Sequence, residues 1–521
     1  ASGGGLGLAT FLLGNTSRFG RYVSTSTEAR ERQWRQFYYA QDTWRATPKL
    51  TLNYGLRADI IHPQTVNEAG NGGWLNLDTG EIMVGGVGDV DLAGNVKNKV
   101  NWAPRLGATY QLNEKTVVRA GFGRSYDIGV FGSTFGHSVT QNLPVLSFQQ
   151  LNPPNNFDSV FNLGQGPPPP VFATVPADGT FPLPNGVSAR ALPQTQNLSH
   201  VDAYNVTLQR ELSSTVSAEI AYVGNRGEGF FGDNPAADAN APTIVGYPDV
   251  PRDQRRPFFA RYGWTQGIDS FSNTGKSRYN SLQAKVTRRF SGGFSLLTHY
   301  TLQSHKNNDG EYVFIDPDVN YGPANFVRKH VYVLAGSAEL PFGKGRRYLS
   351  DASGATDAIL GGWQVNAAAT VMSGLPFNVS YRDSGQDRDT GPGRPNLIGD
   401  ANPGSGDGLT TPYFNVTPIG SSGSAFGRPA RGTFGDPERN ALRGPGYWNV
   451  DASLFKRFGL GGDRNLEFRV EAQNVFNHVN LGQPNSEIGV PGNLNPSAGF
   501  ITGTADNSRQ RNLQFALRFG F

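Results

Sequence analysis

The sequence predicts an all-β fold, a transmembrane antiparallel β-barrel with long extracellular loops, and three observations predict it. Apolar and polar residues alternate strictly through many segments of about 9–11 residues, the length of a tilted membrane strand. The connections between those segments alternate between short and long. Finally, the composition is rich in Gly (67 of 521 residues) and in aromatics (33 Phe, 19 Tyr, 7 Trp), although hydrophobic residues make up only 37%. Such a profile is unlike a helical enzyme, and a disordered chain would be poor in aromatics.

The alternation is plain in Leu50-Thr-Leu-Asn-Tyr-Gly-Leu-Arg-Ala-Asp-Ile60, where every even position is apolar and every odd one polar or Gly. It recurs in Leu106/Ala108/Tyr110/Leu112, Tyr204/Val206/Leu208 and Val216/Ala218/Ile220/Tyr222. Leu282/Ala284/Val286 and Val450/Ala452/Leu454 continue it. Period two means one apolar and one wet face. A soluble sandwich would hide the apolar face between two sheets with strands of about 5–6 residues. Here most segments are longer, and the wet face carries Arg57, Asp59, Arg105, Arg119, Asp127, Glu219, Lys285, Arg289, Glu467, Arg469 and Glu471. A water-filled lumen suits those charges better.

In order, strands are expected at 33–45, 50–61, 103–112, 116–128, 201–211, 215–226, 278–290, 294–305, 328–340, 362–382, 447–458, 464–476 and 509–521. The first, third and fifth connections fall at Ala46–Lys49, Asn113–Lys115 and Leu212–Ser214, with Ser291–Gly293 and Gly459–Asp463 equally short. Pro341–Gly361 is of medium length, and 62–102, 129–200, 227–277, 306–327, 383–446 and 477–508 are long. Short periplasmic turns against long extracellular loops is the outer-membrane pattern. Parity counted from Phe521 makes the first and last strands both run toward the periplasm, and thirteen is odd where single-chain barrels have even numbers. The expectation is the C-terminal part of a longer protein, with residues 1–32 near the extracellular loops.

Composition excludes several classes. No Cys is present, so disulfides and thiolate chemistry are impossible, and a net charge of +4 is too slight to imply nucleic acid. No apolar run is long enough for a membrane helix, and no targeting segment is visible at Ala1. Gly275-Lys-Ser277 lacks the Gly that a phosphate loop needs five positions earlier, which is Ser270, and reads as a turn entering a strand. Gly3-Gly-Gly-Leu-Gly7 lacks the flanks of a dinucleotide site. His62, His137, His200, His299, His305, His330 and His478 form no close metal pair, and no Gly-x-Ser-x-Gly elbow occurs. No catalytic, cofactor or metal site is expected, and the chain reads as no enzyme.

Weaker signals lie in loops. Asn307-Asn-Asp-Gly-Glu311 with Asp316 and Asp318, and Asp383, Asp387 and Asp389, offer oxygen ligands of the kind calcium takes, against the plainer reading of solvated acids. Pro167–Pro170 favours a stiff polyproline segment. Phe148, Phe157, Phe161, Phe172, Phe181, Phe258, Phe259, Tyr262 and Trp264 could stack a ligand, although packing loops together is the favoured reading. Trp44, Trp102, Trp363 and Trp448 at strand ends, with Tyr54, Tyr110, Tyr222 and Tyr300, suit aromatic belts.

The last strand carries its own pattern: Leu513, Phe515, Leu517, Phe519 and Phe521 alternate with Gln514, Ala516, Arg518 and Gly520. A terminal aromatic on an amphipathic strand resembles the signal read by the barrel assembly machinery of the outer membrane.

Phe37-Tyr-Tyr-Ala-Gln-Asp-Thr-Trp-Arg45 and Thr47-Pro-Lys-Leu-Thr-Leu-Asn-Tyr-Gly-Leu-Arg57 resemble the barrel of TonB-dependent outer-membrane receptors, in particular the Oar-like branch. So do Tyr279–Phe290 with Tyr300-Thr301, Leu340–Arg347, Gly362-Trp363, Ser373–Phe377, Arg443–Asp451 and Glu471–His478, in the family's order. The resemblance implies a Gram-negative outer membrane, the last thirteen strands of a barrel of about 22, and energy-coupled uptake of a substrate bound at the extracellular loops. It implies the TonB complex as partner, acting through a plug domain. Signal peptide, TonB box and plug are not among these 521 residues, which departs from the family pattern. The competing expectation is a structural or adhesive surface barrel whose loops bind partners without transport.

Overall fold

The computed structural model describes residues 7–127, 139–151, 153, 158–170, 172, 174–230, 238–243, 249–270, 273–308, 318, 320–382, 393–430, 433–506 and 508–521. Its long strands are β1 (Arg35–Thr47), β2 (Leu50–Ile61), β3 (Val100–Asn113), β4 (Thr116–Tyr126), β5 (His200–Ser213), β6 (Val216–Phe230) and β7 (Gly275–Ser291). They continue as β8 (Phe294–Asn307), β9 (His330–Glu339), β10 (Trp363–Met372), β11 (Tyr447–Gly459), β12 (Asn465–Gln473) and β13 (Asn512–Gly520). Each pairs antiparallel with its neighbours in sequence, in one meander from β1 to β13. The two-residue strand Gly322–Pro323 adds to the end of β8. Among the described residues β1 and β13 each pair on one side only.

Register fixes which face each side chain takes. Arg57 of β2 lies opposite Ala103 of β3, and Asp59 opposite Asn101. Thr109 and Gly107 of β3 lie opposite Arg119 and Gly121 of β4. The odd residues of these strands therefore share a face, and β6 continues it with Glu219 opposite Lys285 of β7. Charges there meet one another: Arg57 Nε is 2.7 Å from Asp59, and Lys285 Nζ is 3.3 Å from Glu219. On β11 and β12, Glu467 takes both Arg457, at 2.8 Å, and Arg469. The opposite face presents Leu52, Tyr54, Leu56, Leu106, Phe122, Val206, Leu208, Ile220, Tyr222 and Leu282, all of which but the partly buried Leu52 are exposed without a bilayer. So large a continuous apolar surface is stable only against lipid.

Trp44, Trp102, Trp363 and Trp448 all stand on this apolar face. Trp44 and Trp363 sit at the short-connection end, Trp102 and Trp448 at the long-loop end. His478 stacks on Trp448 at 4.1 Å between ring centroids. Two tiers of Trp at the two ends are what interfacial aromatics require.

The thirteen expected strands are all present; β2 spans 50–61 as expected, and the others shift at one or both ends. The segment expected at 362–382 stops at Met372, because beyond it Gly374 passes so close to Gly444 that a Cβ would lie 1.7 Å from the Gly444 carbonyl oxygen. Pro376, which has no backbone N–H, then starts a short pair with Leu442–Arg443. The first strand lies at 35–47 rather than 33–45, and the last at 512–520 rather than 509–521. The medium connection after β9 contains a helix, Gly354–Leu360, that the sequence reading did not anticipate.

Described segments of the long connections fold on one another. Segments from the β2–β3, β4–β5 and β6–β7 loops build a five-stranded sheet in the order Thr180–Pro182, Glu81–Val84, Gly73–Asn76, Ala189–Ala191, Ile268–Ser270. Leu75, Ile82, Val84, Phe181, Trp264 and Ile268 form its core. The β10–β11 and β12–β13 loops share a second core of Phe377, Tyr381, Phe414, Phe426, Ile488 and Val490.

The face assignment has a direct consequence. Cys placed at Thr51 is expected to react with a membrane-impermeant thiol reagent that enters the lumen, and Cys at the neighbouring Leu52 only with a lipid-phase reagent. Thiol labelling of the protein in outer-membrane vesicles measures both, and the reverse pattern would invert the barrel's faces.

Candidate functional site

The loop aromatics divide by role. Trp264 is buried, donates its indole N–H to the Leu183 carbonyl at 3.0 Å, and packs against Tyr262 (4.6 Å) and Phe258 (5.6 Å). Phe181 lies in the same core and Phe161 packs on Phe19, so at these positions packing wins. Phe148 differs. Strand Phe19–Ser24 pairs with Leu146–Leu151, which sets Tyr22 opposite Phe148 with ring centroids 5.0 Å apart. Phe172 is exposed, and Phe157 lies outside the described residues.

Tyr22 and Phe148 form one wall of a cavity of about 400 Å³. Gln141, Ser188, Arg190, Asp238 and Asp269 line the rest. The five-stranded loop sheet positions these groups. Ala189–Ala191 runs parallel to Ile268–Ser270 with Arg190 opposite Asp269, and the Arg190 Nε lies 3.9 Å from the Asp269 carboxylate. Asn142 locks Arg190 in place: its amide donates to the Arg190 carbonyl at 2.8 Å and accepts from the Arg190 N–H at 2.7 Å. The same amide donates to the Gly73 carbonyl at 2.9 Å. Gly73 is required here, since a Cβ would fall 1.9 Å from the Leu143 carbonyl oxygen.

Asp238 is equally fixed. One carboxylate oxygen accepts from the N–H groups of Asn240 and Ile268, each at 2.8 Å, and the other lies 3.8 Å from the buried Arg256. Gly267 passes beside it, where a Cβ would come 2.9 Å from that second oxygen. The cavity thus joins the Tyr22–Phe148 pair to a set of two carboxylates and one guanidinium held in place by the loop sheet. Its size falls within the range of about 300–1,000 Å³ typical of small-molecule sites. Its chemistry is that of binding: charge pairing, hydrogen bonding and stacking.

At the cavity's edge Glu31 accepts hydrogen bonds from the Thr140 N–H (3.1 Å) and hydroxyl (3.0 Å), next to Gln141. Burial is the main influence on the Glu31 carboxyl and raises its pKa to about 7, while the bonds from Thr140 pull it down.

The remaining sequence candidates resolve as follows. Leu513, Phe515, Leu517 and Phe519 stand on the apolar face of β13, more than half exposed, and Phe519 stacks on Phe521 at 6.1 Å. Gly275-Lys276-Ser277 opens β7 as extended chain. Asn308 donates to the Thr274 carbonyl and accepts from the Lys276 N–H, and Asp318 pairs with Lys276. Residues 309–311, Asp316, Asp383, Asp387, Asp389 and His137 lie outside the described residues. Among the described residues no group of three His or carboxylates could hold a metal. Sequence reasoning missed Arg190, Asp238 and Asp269; no periodicity marks them, because the sheet that gathers them is assembled from three separate loops.

Residues 1–514 match the family model described as the outer membrane beta barrel domain. The chain belongs to the outer-membrane β-barrel domain family. This barrel is a protein of the Gram-negative outer membrane. A comparison with curated proteins gives no match. Among solved structures the barrel is similar to the ferric-catecholate import receptor Fiu of E. coli K12, with 14% identity and a TM-score of 0.42, covering 94% of this chain and 45% of that one. It is similar also to the ferripyoverdine receptor of Pseudomonas aeruginosa, at 12% identity and a TM-score of 0.40, covering 94% and 38%. With the Escherichia coli outer-membrane transporter YddB the identity is 9%, the TM-score 0.41 and the coverage 94% and 54%. The chain spans about half or less of these relatives' length.

Glu31 gives the loop site a pH dependence of defined sign. Its pKa is raised on folding by burial, so the buried placement of Glu31 beside Thr140 is most stable where the carboxyl is protonated, below about pH 4.5, and loses stability as pH climbs to about 7, with the Thr140 hydrogen bonds to the carboxylate offsetting part of that loss. Amide hydrogen exchange at Thr140 and Gln141 is expected to speed up over that window beyond its intrinsic pH dependence. Glu31→Gln should abolish the excess. An unchanged excess in the variant would separate Glu31 from the effect.

Proposed function

We propose that this barrel is the C-terminal part of a TonB-dependent receptor that binds a small polar or charged solute at its extracellular loops and passes it inward. The observation that carries this reading is the cavity between Tyr22, Phe148, Arg190, Asp238 and Asp269, built on a loop sheet with its own core. A barrel that served only as surface structure would have no need to preorganise charged groups around a void of this size. The resemblance of the Phe37–Arg57 segment and the later strand motifs to Oar-like receptors supports energy coupling, with a plug and the TonB complex supplied outside these residues. On that reading the thirteen strands form part of a larger closed barrel of about 22 strands. The role is binding and passage rather than catalysis.

Cells expressing the full-length gene are expected to deplete a solute from a defined medium, and a protonophore should stop the depletion. Arg190→Glu, which places three acids around the cavity, should reduce uptake at least about tenfold, since losing a charge-assisted contact costs on the order of 1.5–3 kcal/mol. The amount of folded barrel should be unchanged. Solute retention that ignores the protonophore, with no depletion, would instead identify a surface-binding barrel without transport.

The apolar stripe of β13 is proposed as the assembly signal. Replacing Phe519 and Phe521 with Ser in the full-length protein should leave it unfolded and degraded in the periplasm. Normal amounts of heat-modifiable protein in the outer membrane would refute the assignment.

A further inference from the structure

A second cavity lies where the loop fold meets the barrel. It is small, about 40 Å³, and adjoins the long-loop ends of β2, β5 and β7: Pro63 stands just beyond Ile61, Asn197 just before His200, and Asn273 just before Gly275. It shares no described lining residue with the Tyr22–Phe148 cavity. Pro63, Trp74, Val96, Leu192 and Pro193 make most of its wall apolar. Trp74 is buried, and Gly94 passes so close to its ring that no Cβ would fit there.

Three polar atoms of this wall are unmet. Gln64 is 6% exposed, and neither the oxygen nor the nitrogen of its side-chain amide finds a hydrogen-bond partner among the described residues. Asn273 spends its amide nitrogen on the carbonyls of Asn197 (2.8 Å) and Gly229 (2.9 Å), which fixes the direction of that amide and leaves its buried oxygen without a partner. Gln196 is satisfied, with its amide nitrogen 3.1 Å from the Ile61 carbonyl and 3.3 Å from that of His62. The frame is held by backbone bonds: the Lys97 N–H donates to the Gln194 carbonyl at 2.9 Å, and the Gln196 N–H to the Lys97 carbonyl at 3.0 Å. Thr65, next to Gln64, pairs with Arg32. A buried amide left in this way is destabilising unless something else meets it.

Size, charge and hydrogen-bond pattern define what would meet it. At about 10–15 Å³ for each water-sized sphere, the cavity admits about three heavy atoms. Among the described residues no charged side chain lines it, so a carboxylate or an ammonium would be buried there without a counter-charge. The wall asks for an acceptor opposite Gln64 Nε2 and for donors opposite Gln64 Oε1 and Asn273 Oδ1. A primary carboxamide is neutral, has three heavy atoms, and carries one acceptor oxygen and two N–H donors. Water fits less well, because most of the wall offers it no partner.

We propose that this cavity is an anchor site for a small neutral solute that carries a primary carboxamide. The amide would enter head-on and pair edge to edge with Gln64, its second N–H reaching Asn273, while the apolar remainder of the solute lies along Pro63 and Pro193. A tertiary amide has no donor for either oxygen, and a carboxylate would set its charge against both of them. The site stands apart from the Tyr22–Phe148 cavity and requires neither a plug nor energy coupling.

The test uses the full-length protein purified from outer membranes in mild detergent, with benzamide, benzoate and N,N-dimethylbenzamide as probes and saturation-transfer NMR as the readout. Benzamide is expected to bind roughly tenfold or more tightly than either of the others, since each unmade hydrogen bond of a buried group costs up to about tenfold in affinity. Gln64→Leu, close in size and unable to hydrogen-bond, should bring benzamide down to the level of the dimethyl amide. Heat-modifiable mobility reports folding. Should the leucine variant fail to fold, Gln64→Met, unbranched like glutamine, takes its place, and the order of the three probes on the native protein is read in either case. Equal binding of all three probes, tighter binding of benzoate, or undiminished benzamide binding by a folded variant would each overturn the site.

Discussion

Every feature of this molecule depends on the cost of an unpaired backbone amide in hydrocarbon. Each such group loses several kcal/mol when it can reach neither water nor a partner. The antiparallel meander from β1 to β13 meets that demand with neighbours adjacent in sequence, so that each strand is paired as soon as the next one forms. With the backbone committed to the ladder, side chains are left to decide orientation. A period of two puts Leu52 and Tyr54 toward lipid and Thr51 and Asn53 toward the lumen. A slip of one residue would exchange those faces all at once. Register is thus enforced most strongly where the two solvents differ most.

The same constraint explains why the strands were legible in the sequence and the loops were not. Strand Leu50–Ile61 could be placed to the residue because membrane and lumen each demand one half of its side chains. The end of β10 could not, because Val371 and Met372 are followed by Leu375 and Phe377, which prolong the apolar signal into a loop core. What stops the strand there is the close passage of Gly374 against Gly444, a contact between residues seventy positions apart. The loop sheet is harder still. Its strands are three or four residues long and come from three connections, with Ala189–Ala191 paired in parallel to Ile268–Ser270. No local period encodes such pairing. Only the aromatics hinted at it, and the fates of Trp264 and Phe148 diverge for reasons visible only in three dimensions.

Folded loops also change what the barrel can do. A long loop without a core would sample many conformations, and a ligand would have to order it at a cost of about 1–2 kcal/mol per fixed residue. Here much of that ordering is already achieved by Leu75, Ile82, Trp264 and Ile268. Arg190 and Asp269 are held by adjacent strands, and Asn142 clamps the Arg190 backbone from the other side. Preorganisation of this kind favours a defined ligand over an adaptable surface.

The charged groups of the molecule sort by the company they keep. In the lumen, Arg57 is neutralised by Asp59, whereas Glu467 lies between two arginines, Arg457 and Arg469, and that cluster keeps one positive charge on the wet wall. In the loop cavity each carboxylate has its own guanidinium, Asp269 against Arg190 and Asp238 near the buried Arg256, so the polar lining is ordered by pairs that span two elements of the loop fold.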